Sequence, residues 1–282
     1  MVWKCRQHRF EFPRRALVMG ILNVTPDSFS DGGRFLETDA AVEQGLRMEA
    51  EGAELIDVGG ESTRPGATPV TASEELRRVI PVVAALSQKL RIPISVDTRK
   101  AQVAREALAV GASVVNDVAA ADPDPAMDTV LAETGAGYVA MHMQGTPETM
   151  QSHPRYGDVV HEVGDFFERR LIDLIRFGVS REQVALDPGI GFGKTLDHTL
   201  DLLGRLSEFT TQDRPLVLGV SRKSFLGGLV GADVADRLPG GIACTVWAAL
   251  QGVQVFRTHD VAATVQALRV TGAVATRKPE ST

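Results

Sequence analysis

A glycine-rich turn, DPGIGFGKT (residues 187–195), combines residue types found in loops that cradle phosphates. The nucleotide-binding form of such a loop requires G-x-x-x-x-G-K-[ST], and Pro188 occupies the position of its first glycine. Proline has no N–H to donate and its φ is fixed, so the cradle lacks a donor. The spacing of the three glycines, G-x-G-x-G, also departs from the dinucleotide-binding fingerprint. The turn therefore predicts no nucleotide site, and Asp187 is interpreted as a carboxylate that ends the apolar run VALD.

Other short apolar runs also end in hydrogen-bonding residues. In chain order these ends are Asn23, the GGEST that follows Asp57, Asp97, Asn116, His142, Asp187, Ser221 and Arg257. Helix capping explains any one of them, because Asp and Asn suit that role. So many in succession favour a shared site, because the carboxyl ends of all strands in a parallel barrel open on one face, where the loops build the active site.

Asp97, Asn116 and Asp187 form one chemical set. An ionised carboxylate accepts two parallel hydrogen bonds, and an amide both donates and accepts. The set therefore suits a planar heterocycle with adjacent N–H groups and a carbonyl, such as a pterin. Turn and cap chemistry is the alternative for either carboxylate alone. A zinc site is a further alternative, but no His or Cys lies nearby at zinc-ligand spacing.

A second set is cationic or neutral and polar. It comprises Asn23, Thr63, Arg64, Lys223, Arg257 and His259. In SRKSF, Lys223 and Ser224 lie between a strand and a helix, where free N–H groups favour an anion. An acidic chain that gathers these cations at one face is expected to bind a phosphorylated substrate there. A solvated surface position is the alternative for Arg64.

The elements that must position both sets follow a repeated pattern of strand and helix. Eight β-branched runs occur: ALVMGILN, ELIDVG, PISVD, SVVND, GYVAMH, VALD, PLVLGVS and VQVFR. Stretches with a helical period lie between them, among them DAAVEQGLRMEAEG, ASEELRRVIPVVAALSQKL, GDVVHEVGDFFERRLIDLIRFG and DVAATVQALRVTGA. Glycine closes several of these, as in IRFGV, where a helix often ends with positive φ. The pattern predicts an α/β fold with eight parallel strands in a barrel.

Two loops after the first and second strands are long and rich in Gly, Pro, Ser and Asp. They are VTPDSFSDGGRF, which carries Asp31, and GGESTRPGATPV, which carries Thr63 and Arg64. Long loops at the open end of a barrel are commonly lids, and we expect these to close on a charged substrate. Plain irregular connections are the alternative, and for Asp31 so is a turn residue before two glycines.

Composition limits the class of protein. The chain has 282 residues with 44% hydrophobic content, enough for one large domain, expected over residues 1–275 with a disordered tail at 276–282. Its net charge of −6 argues against a general nucleic-acid binder. Cys5 and Cys244 lack metal or disulfide spacing, and neither a signal segment nor a membrane-spanning run is found. A cytoplasmic protein is expected.

With these residues in view, the chain resembles the dihydropteroate synthase family. The resemblance runs from MGILNVTPDSFSDGG through IDVGGESTRPGA, SVDT, VVND, MHMQGTP, DPGIGFGK and GVSRKSFLG to FRTHDV. It implies a single (β/α)8 TIM barrel that joins a dihydropterin methyl pyrophosphate to 4-aminobenzoate in folate biosynthesis, a sulfonamide-targeted reaction. It also implies a homodimer and a need for Mg²⁺.

The resemblance assigns roles to residues. Asp97, Asn116, Asp187 and Lys223 would hold the pterin, and the pyrophosphate would be held by Thr63, Arg257, Thr258 and His259, with Arg64 in the same anion set. Asn23 would bind magnesium, while Phe192, Lys223 and Ser224 would form the wall of the 4-aminobenzoate pocket. Asp31 would stabilise a pterin cation, which makes Asp31, Lys223, Arg257 and His259 the expected catalytic residues.

Two other functions use a similar barrel. A pterin-dependent methyltransferase moves a methyl group from a reduced folate to a corrinoid, and it needs no pyrophosphate set such as SRKS with RTHD. A non-catalytic pterin-binding paralogue would be favoured by loss of Asp31, Lys223 or Arg257, and all three are present.

Overall fold

The computed structural model describes residues 1–25, 33–63 and 66–277, with the backbone alone for residues 33–37. Its strands, β1 to β10, are Val2–Cys5, His8–Glu11, Leu17–Asn23, Leu55–Gly59, Ile94–Asp97, Val114–Asp117, Gly137–Met141, Val184–Asp187, Val217–Gly219 and Val255–Thr258. Its α-helices, α1 to α9 within the described ranges, are Gly33–Ala50, Ala72–Ser87, Ala101–Ala109, Met127–Thr134, Val159–Arg176, Leu196–Gly204, Ser224–Val230, Leu238–Leu250 and Val261–Ala275.

Eight parallel strands, β3 to β10, form the centre of the molecule in the order β8-β7-β6-β5-β4-β3-β10-β9. Seven of the eight predicted runs contain a whole strand of this sheet, and the eighth, VQVFR, contains all of β10 except Thr258. The two outer strands approach each other, because Leu186 makes a parallel bridge to Leu216 and its N–H donates to the Pro215 carbonyl at 2.9 Å. The nearly closed cylinder with helices between its strands confirms the predicted (β/α)8 TIM barrel.

The barrel interior changes character along its axis. At the end where the strands begin, Leu55, Val114, Ala185 and Val255 belong to one apolar cluster. Side chains two residues apart on a strand share a face. Two residues further along the same four strands, that face carries a polar group each time: Asp57, Asn116, Asp187 and Arg257. We call this second end, where the strands finish, the mouth of the barrel.

An antiparallel hairpin of β1 and β2, which was not among the predicted elements, seals the opposite end. Trp3, Cys5, Phe10 and Phe12 pack against the apolar barrel cluster. The Trp3 indole N–H donates to the Gln183 carbonyl at 2.9 Å. Burying these aromatic side chains closes the barrel to water at this end and contributes to the stability of the fold.

Helices cover the outside of the barrel, and each of the four quoted segments overlaps one; α2 and α5 lie wholly within theirs, and α9 extends two residues beyond its segment. The predicted helix closure at IRFGV is confirmed, because Gly178 follows α5 with φ of 92°. The first helix begins at Gly33, earlier than the quoted segment.

Several expectations concern segments outside this description. Residues 26–32, 64–65 and 278–282 are not described, so the two lids and the disordered tail stay predictions, as does the domain boundary at 275. Among the described residues, no helix has both the length and the apolar content that crossing a membrane requires. Cys5 and Cys244 are free thiols.

Candidate active site at the mouth of the barrel

Predicted site residues of β3, β5 and β6 lie in one row at the mouth, with Gly59 of β4 between Asn23 and Asp97. Asn23 of β3 is opposite Gly59 of β4, Gly59 is opposite Asp97 of β5, and Asp97 is opposite Asn116 of β6. A Cβ placed on Gly59 would lie 3.7 Å from Asp97 Oδ2 and 3.8 Å from Asn23 Oδ1. The side chains of Asn23 and Asp97 therefore share the space that the glycine leaves open.

Asp57 lies beneath this row and connects the two predicted sets. Its Oδ2 accepts hydrogen bonds from Arg257 Nε at 2.6 Å and from Asn116 Nδ2 at 3.1 Å, and the side chain is fully buried. Asp57 was not among the predicted site residues. The available signal was a carboxylate inside an otherwise apolar run, ELIDVG, where burial is costly unless the charge is paired.

Arg257 makes an ion pair with Asp97 as well. The distance from Arg257 Nη2 to Asp97 Oδ2 is 2.6 Å, so one guanidinium spans the carboxylates of β4 and β5. These two carboxylates raise the pKa of Arg257 although burial opposes this, and the group stays charged. Arg257, which was expected to bind the pyrophosphate, is thus in direct contact with Asp97, which was expected to bind the pterin ring.

Two acceptors at the mouth have no partner among the described residues. They are the buried Oδ1 atoms of Asp57 and Asp97. Burial raises the pKa of Asp97 to about 7, against the opposing effect of Arg257 and with a further increase from the nearby Asp57. A buried acceptor without a donor is destabilising, so these atoms favour a ligand that brings N–H groups.

Asp187 and Lys223 form the opposite side of the mouth. The Asp187 Oδ1 accepts the Gly189 N–H at 2.7 Å, and burial raises the pKa of this carboxyl. Lys223 Nζ donates to the Ile190 carbonyl and lies 4.7 Å from the centre of the Phe192 ring. Burial lowers the pKa of Lys223 to about 8, while Asp187 opposes that decrease.

The glycine-rich turn owes its composition to close packing. Gly189 has φ of 67°, and a Cβ there would be only 1.9 Å from the His142 carbonyl oxygen. Gly193 has φ of 61°, and its Cβ would be 2.5 Å from the Gln144 carbonyl oxygen. Positive φ and contact with the segment after β7 therefore exclude other residues, which supports the interpretation that these glycines serve no nucleotide.

The remaining predicted residues line the start of α7 and the end of β10. Ser221 Oγ and His259 Nδ1 are 3.0 Å apart, and the His259 N–H also donates to Ser221 Oγ at 3.2 Å. Thr258 is buried, with its Oγ1 accepting the Asp260 N–H at 3.1 Å. Ser224 is the first residue of α7.

Four predicted residues are not brought into a described contact. Thr63 is half-buried and Ser224 is exposed, and neither side chain makes a hydrogen bond within the described ranges, while Asp31 and Arg64 lie outside them. A partly buried network of ion pairs holds the start of the second long loop: Glu61 binds Arg99 and Lys100, and Lys100 also binds Glu75. None of these four charged residues was among the predicted site residues.

Comparisons with known proteins point to one family. The family model described as pterin binding enzyme matches residues 19–259. The chain is 49% identical over 261 residues to the dihydropteroate synthase of Escherichia coli, covering 93% of this chain and 92% of that protein. A structure of Yersinia pestis dihydropteroate synthase with a sulfonamide drug complex is similar with a TM-score of 0.92 and 44% identity, covering 98% of this chain and all of that one.

Two structures of the Xanthomonas albilineans dihydropteroate synthase are also similar. The one with 4-aminobenzoic acid has a TM-score of 0.92 and 43% identity, covering 98% of this chain and 99% of that one. The other, in complex with 7,8-dihydropteroate, has a TM-score of 0.89 and 40% identity, covering 99% of this chain and 100% of that one.

Proposed function

The chain belongs to the pterin-binding enzyme family as a transferase of the dihydropteroate synthase type, and we propose how the residues at its mouth carry out the reaction. The reaction condenses 6-hydroxymethyl-7,8-dihydropterin pyrophosphate with 4-aminobenzoate to give 7,8-dihydropteroate and pyrophosphate. The observation that carries the proposal is the joined network of Asp57, Asp97, Asn116 and Arg257, with buried acceptors beside a cation.

The pterin ring binds between Asp97, Asn116, Asp187 and Lys223. The ring presents adjacent N–H groups to a carboxylate and a carbonyl to an amide or ammonium donor, and these residues supply those partners. Support comes from the unpaired Asp97 Oδ1, which already has the burial and orientation of an acceptor lacking its donor. Because Asp97 must accept, its ionised form is the one that binds.

The pyrophosphate end of the substrate lies near Arg257, Thr258, His259 and Thr63. Arg257 uses Nε and Nη2 for the two carboxylates, and its Nη1 makes no hydrogen bond within the described residues. That nitrogen is available to a phosphate oxygen. Arg64 and Asp31 keep their expected roles as predictions, since they lie outside the described ranges.

Mg²⁺ is proposed at Asn23. The described residues contain no cluster of three or more His, Cys, Asp or Glu side chains suited to a metal. The side-chain oxygen of Asn23 is a hard ligand that has no hydrogen-bond partner among the described residues. Magnesium typically binds few protein oxygens and completes its coordination with substrate phosphates and water. When bound, the ion would supply positive charge to the leaving phosphate oxygens.

The chemistry is substitution at the methylene carbon of the pterin. The bond from this carbon to the pyrophosphate oxygen breaks and both electrons leave with the pyrophosphate. The lone pair of the 4-aminobenzoate amine then forms the C–N bond, and the amine loses a proton. Arg257 and His259 lower the barrier because they stabilise the negative charge that develops on the leaving oxygen. Phe192 and Ser224 hold the aromatic amine beside Lys223.

Pairing of two copies of the chain through α8 and α9 is also proposed. A groove between these helices is lined mainly by apolar side chains, and Leu238, Leu250, Val270 and Val274 are exposed there. Large exposed apolar surfaces commonly mark an interface, and sedimentation equilibrium tests the pairing. A cytoplasmic location stays a prediction.

Measurement of pyrophosphate release tests the proposed function. We expect release only when the pterin pyrophosphate, 4-aminobenzoate and Mg²⁺ are all present, with dihydropteroate formed in equal amount. Release that continues without 4-aminobenzoate would indicate a hydrolase instead, and no release from the complete mixture would contradict the proposal.

A further inference from the structure

Lys194, the lysine that ends the glycine-rich turn, is buried beneath the mouth, and the reaction described above does not use it. Its side chain is 3% exposed. Its Nζ lies 3.0 Å from His142 Nδ1, 3.3 Å from the His142 carbonyl oxygen and 3.0 Å from the Phe192 carbonyl oxygen. These three acceptors match the three N–H groups of an ammonium. Lys194 thus connects the turn to the residue that follows β7.

The partner on the β7 side is itself held firmly. The His142 ring packs edge-on against Phe166 of α5, with 5.1 Å between ring centres, and lies tilted against the Tyr156 ring at 6.0 Å. Burial and the nearby Lys194 charge lower the pKa of His142 to about 3, so its ring is neutral and Nδ1 can accept. Lys194 is therefore anchored to a rigid element.

Every carbonyl oxygen of the turn from Gly189 to Gly193 accepts a hydrogen bond. Taking the carbonyls in order from residue 189 to residue 193, their donors are Phe192 N–H, Lys223 Nζ, Gln151 Nε2, Lys194 Nζ and Tyr156 OH. Of the two charged donors, Lys223 also faces the substrate, whereas Lys194 is enclosed by protein. Burial lowers the pKa of Lys194 to about 7 because its charge loses water, and the nearby Asp187 carboxylate opposes that decrease. Here the contact it makes is with Phe192, the residue assigned to the 4-aminobenzoate pocket.

We propose that Lys194 is a positioning residue for the condensation: its ammonium fixes the main chain of Phe192 and thereby the ring that receives 4-aminobenzoate. This rests on the proposed function. The pterin side depends less on Lys194, because the backbone of Asp187 is held by the β7 ladder, with the His142 N–H donating to the Asp187 carbonyl at 3.0 Å. The Lys194 charge also lowers the pKa of Asp187, but it does so less than Lys223, the Gly189 N–H and Arg257. Loss of Lys194 should therefore affect the second substrate more than the first.

The test replaces Lys194 with Met, which keeps the chain length and removes every donor. We expect the KM for 4-aminobenzoate to rise about tenfold, or about 1.4 kcal/mol, while the Kd of a pterin measured by calorimetry changes less than about twofold. Lys194→Gln, whose amide keeps two donors without the charge, should lie between the native enzyme and Lys194→Met.

Arg214 provides a matched control at the other end of the barrel. It is also 3% exposed, and its guanidinium donates to the carbonyl oxygens of Arg181 at 2.6 Å and Val2 at 3.1 Å. Arg214→Met also replaces a buried cation that binds main-chain carbonyls, and it should leave the KM for 4-aminobenzoate unchanged. Tyr156→Phe removes the neutral donor to the Gly193 carbonyl and should raise the KM for 4-aminobenzoate by less than Lys194→Met does. If Lys194→Met does not fold, Lys194→Gln and Tyr156→Phe together test the positioning role.

The outcomes separate cleanly. An unchanged KM for 4-aminobenzoate in Lys194→Met, an equal increase in Arg214→Met, or an equal loss of pterin affinity would overturn the positioning role. Absence of pyrophosphate release by the native chain would instead overturn the proposed function.

Discussion

The two ends of the same barrel use the same strands for opposite purposes. At the end sealed by the β1–β2 hairpin, the interior is apolar, and Trp3 is completely buried. At the mouth, the equivalent positions two residues further along carry Asp57, Asn116, Asp187 and Arg257. The same backbone geometry accommodates both kinds of residue, because side chains two positions apart on a strand point into the same barrel interior.

The comparison shows where stability and chemistry reside. Burying apolar area at the sealed end is favourable by roughly 25 cal/mol per Å². At the mouth, burial raises the pKa of Asp97 and Asp187 and lowers that of Lys223, which means that each charged form is disfavoured there. We infer that the mouth is stabilised by its ligands and that the sealed end stabilises the fold without them.

The largest expected effect is the loss of pterin binding in Asp187→Ala. The change removes two charge-assisted hydrogen bonds, worth about 1.5–3 kcal/mol each, so pterin affinity should fall more than about a hundredfold. Calorimetric titration with the pterin measures it. Tm of the ligand-free variant should fall less than in a variant of the sealed end, because the loss of the Gly189 N–H acceptor is offset by the removal of a carboxylate that burial disfavours. Unchanged pterin affinity would remove Asp187 from the site.

The sealed end should respond in the opposite way. Trp3→Ala leaves a cavity against the barrel cluster and should reduce the free energy of unfolding by about 3–5 kcal/mol. At a temperature where the variant is folded, KM for both substrates should equal the native values. Denaturant unfolding and steady-state kinetics provide the two readings, and a change in KM would mean that the two ends are coupled.

The smallest effect is that of pH on kcat/KM for the pterin pyrophosphate. Asp97 must be ionised to accept from the pterin and its pKa is about 7, while Lys223 must be protonated to donate and its pKa is about 8. The rate constant should therefore rise up to about pH 7, by about tenfold per unit below it, and fall above about pH 8.

Lys223→Arg distinguishes the two limbs of this profile. Arginine stays charged, so the alkaline limb should disappear while the acid limb remains. An alkaline limb that persists in this variant would assign it to another group and would weaken the comparison between the two ends.

Much of the architecture could be predicted because each strand carries its own signal. Runs such as ELIDVG and VALD are apolar and β-branched enough to be recognised locally, and their polar ends marked Asp97, Asn116 and Asp187. The hairpin was missed because VWKC and HRFE are short and mixed with charges. The two strands pair because their apolar side chains pack against the end of the barrel.

The sequence by itself determined which residue types occupy the carboxyl ends of the eight strands, since alternation and run length are local properties. It also determined, through Pro188, that the glycine-rich turn is no nucleotide loop. Only the tertiary structure decided the partners. Arg257 meets Asp57 and Asp97 across 200 and 160 positions of the chain, and Lys194 meets His142 across 52. Such contacts depend on how the barrel curves and closes, and no local pattern encodes that geometry.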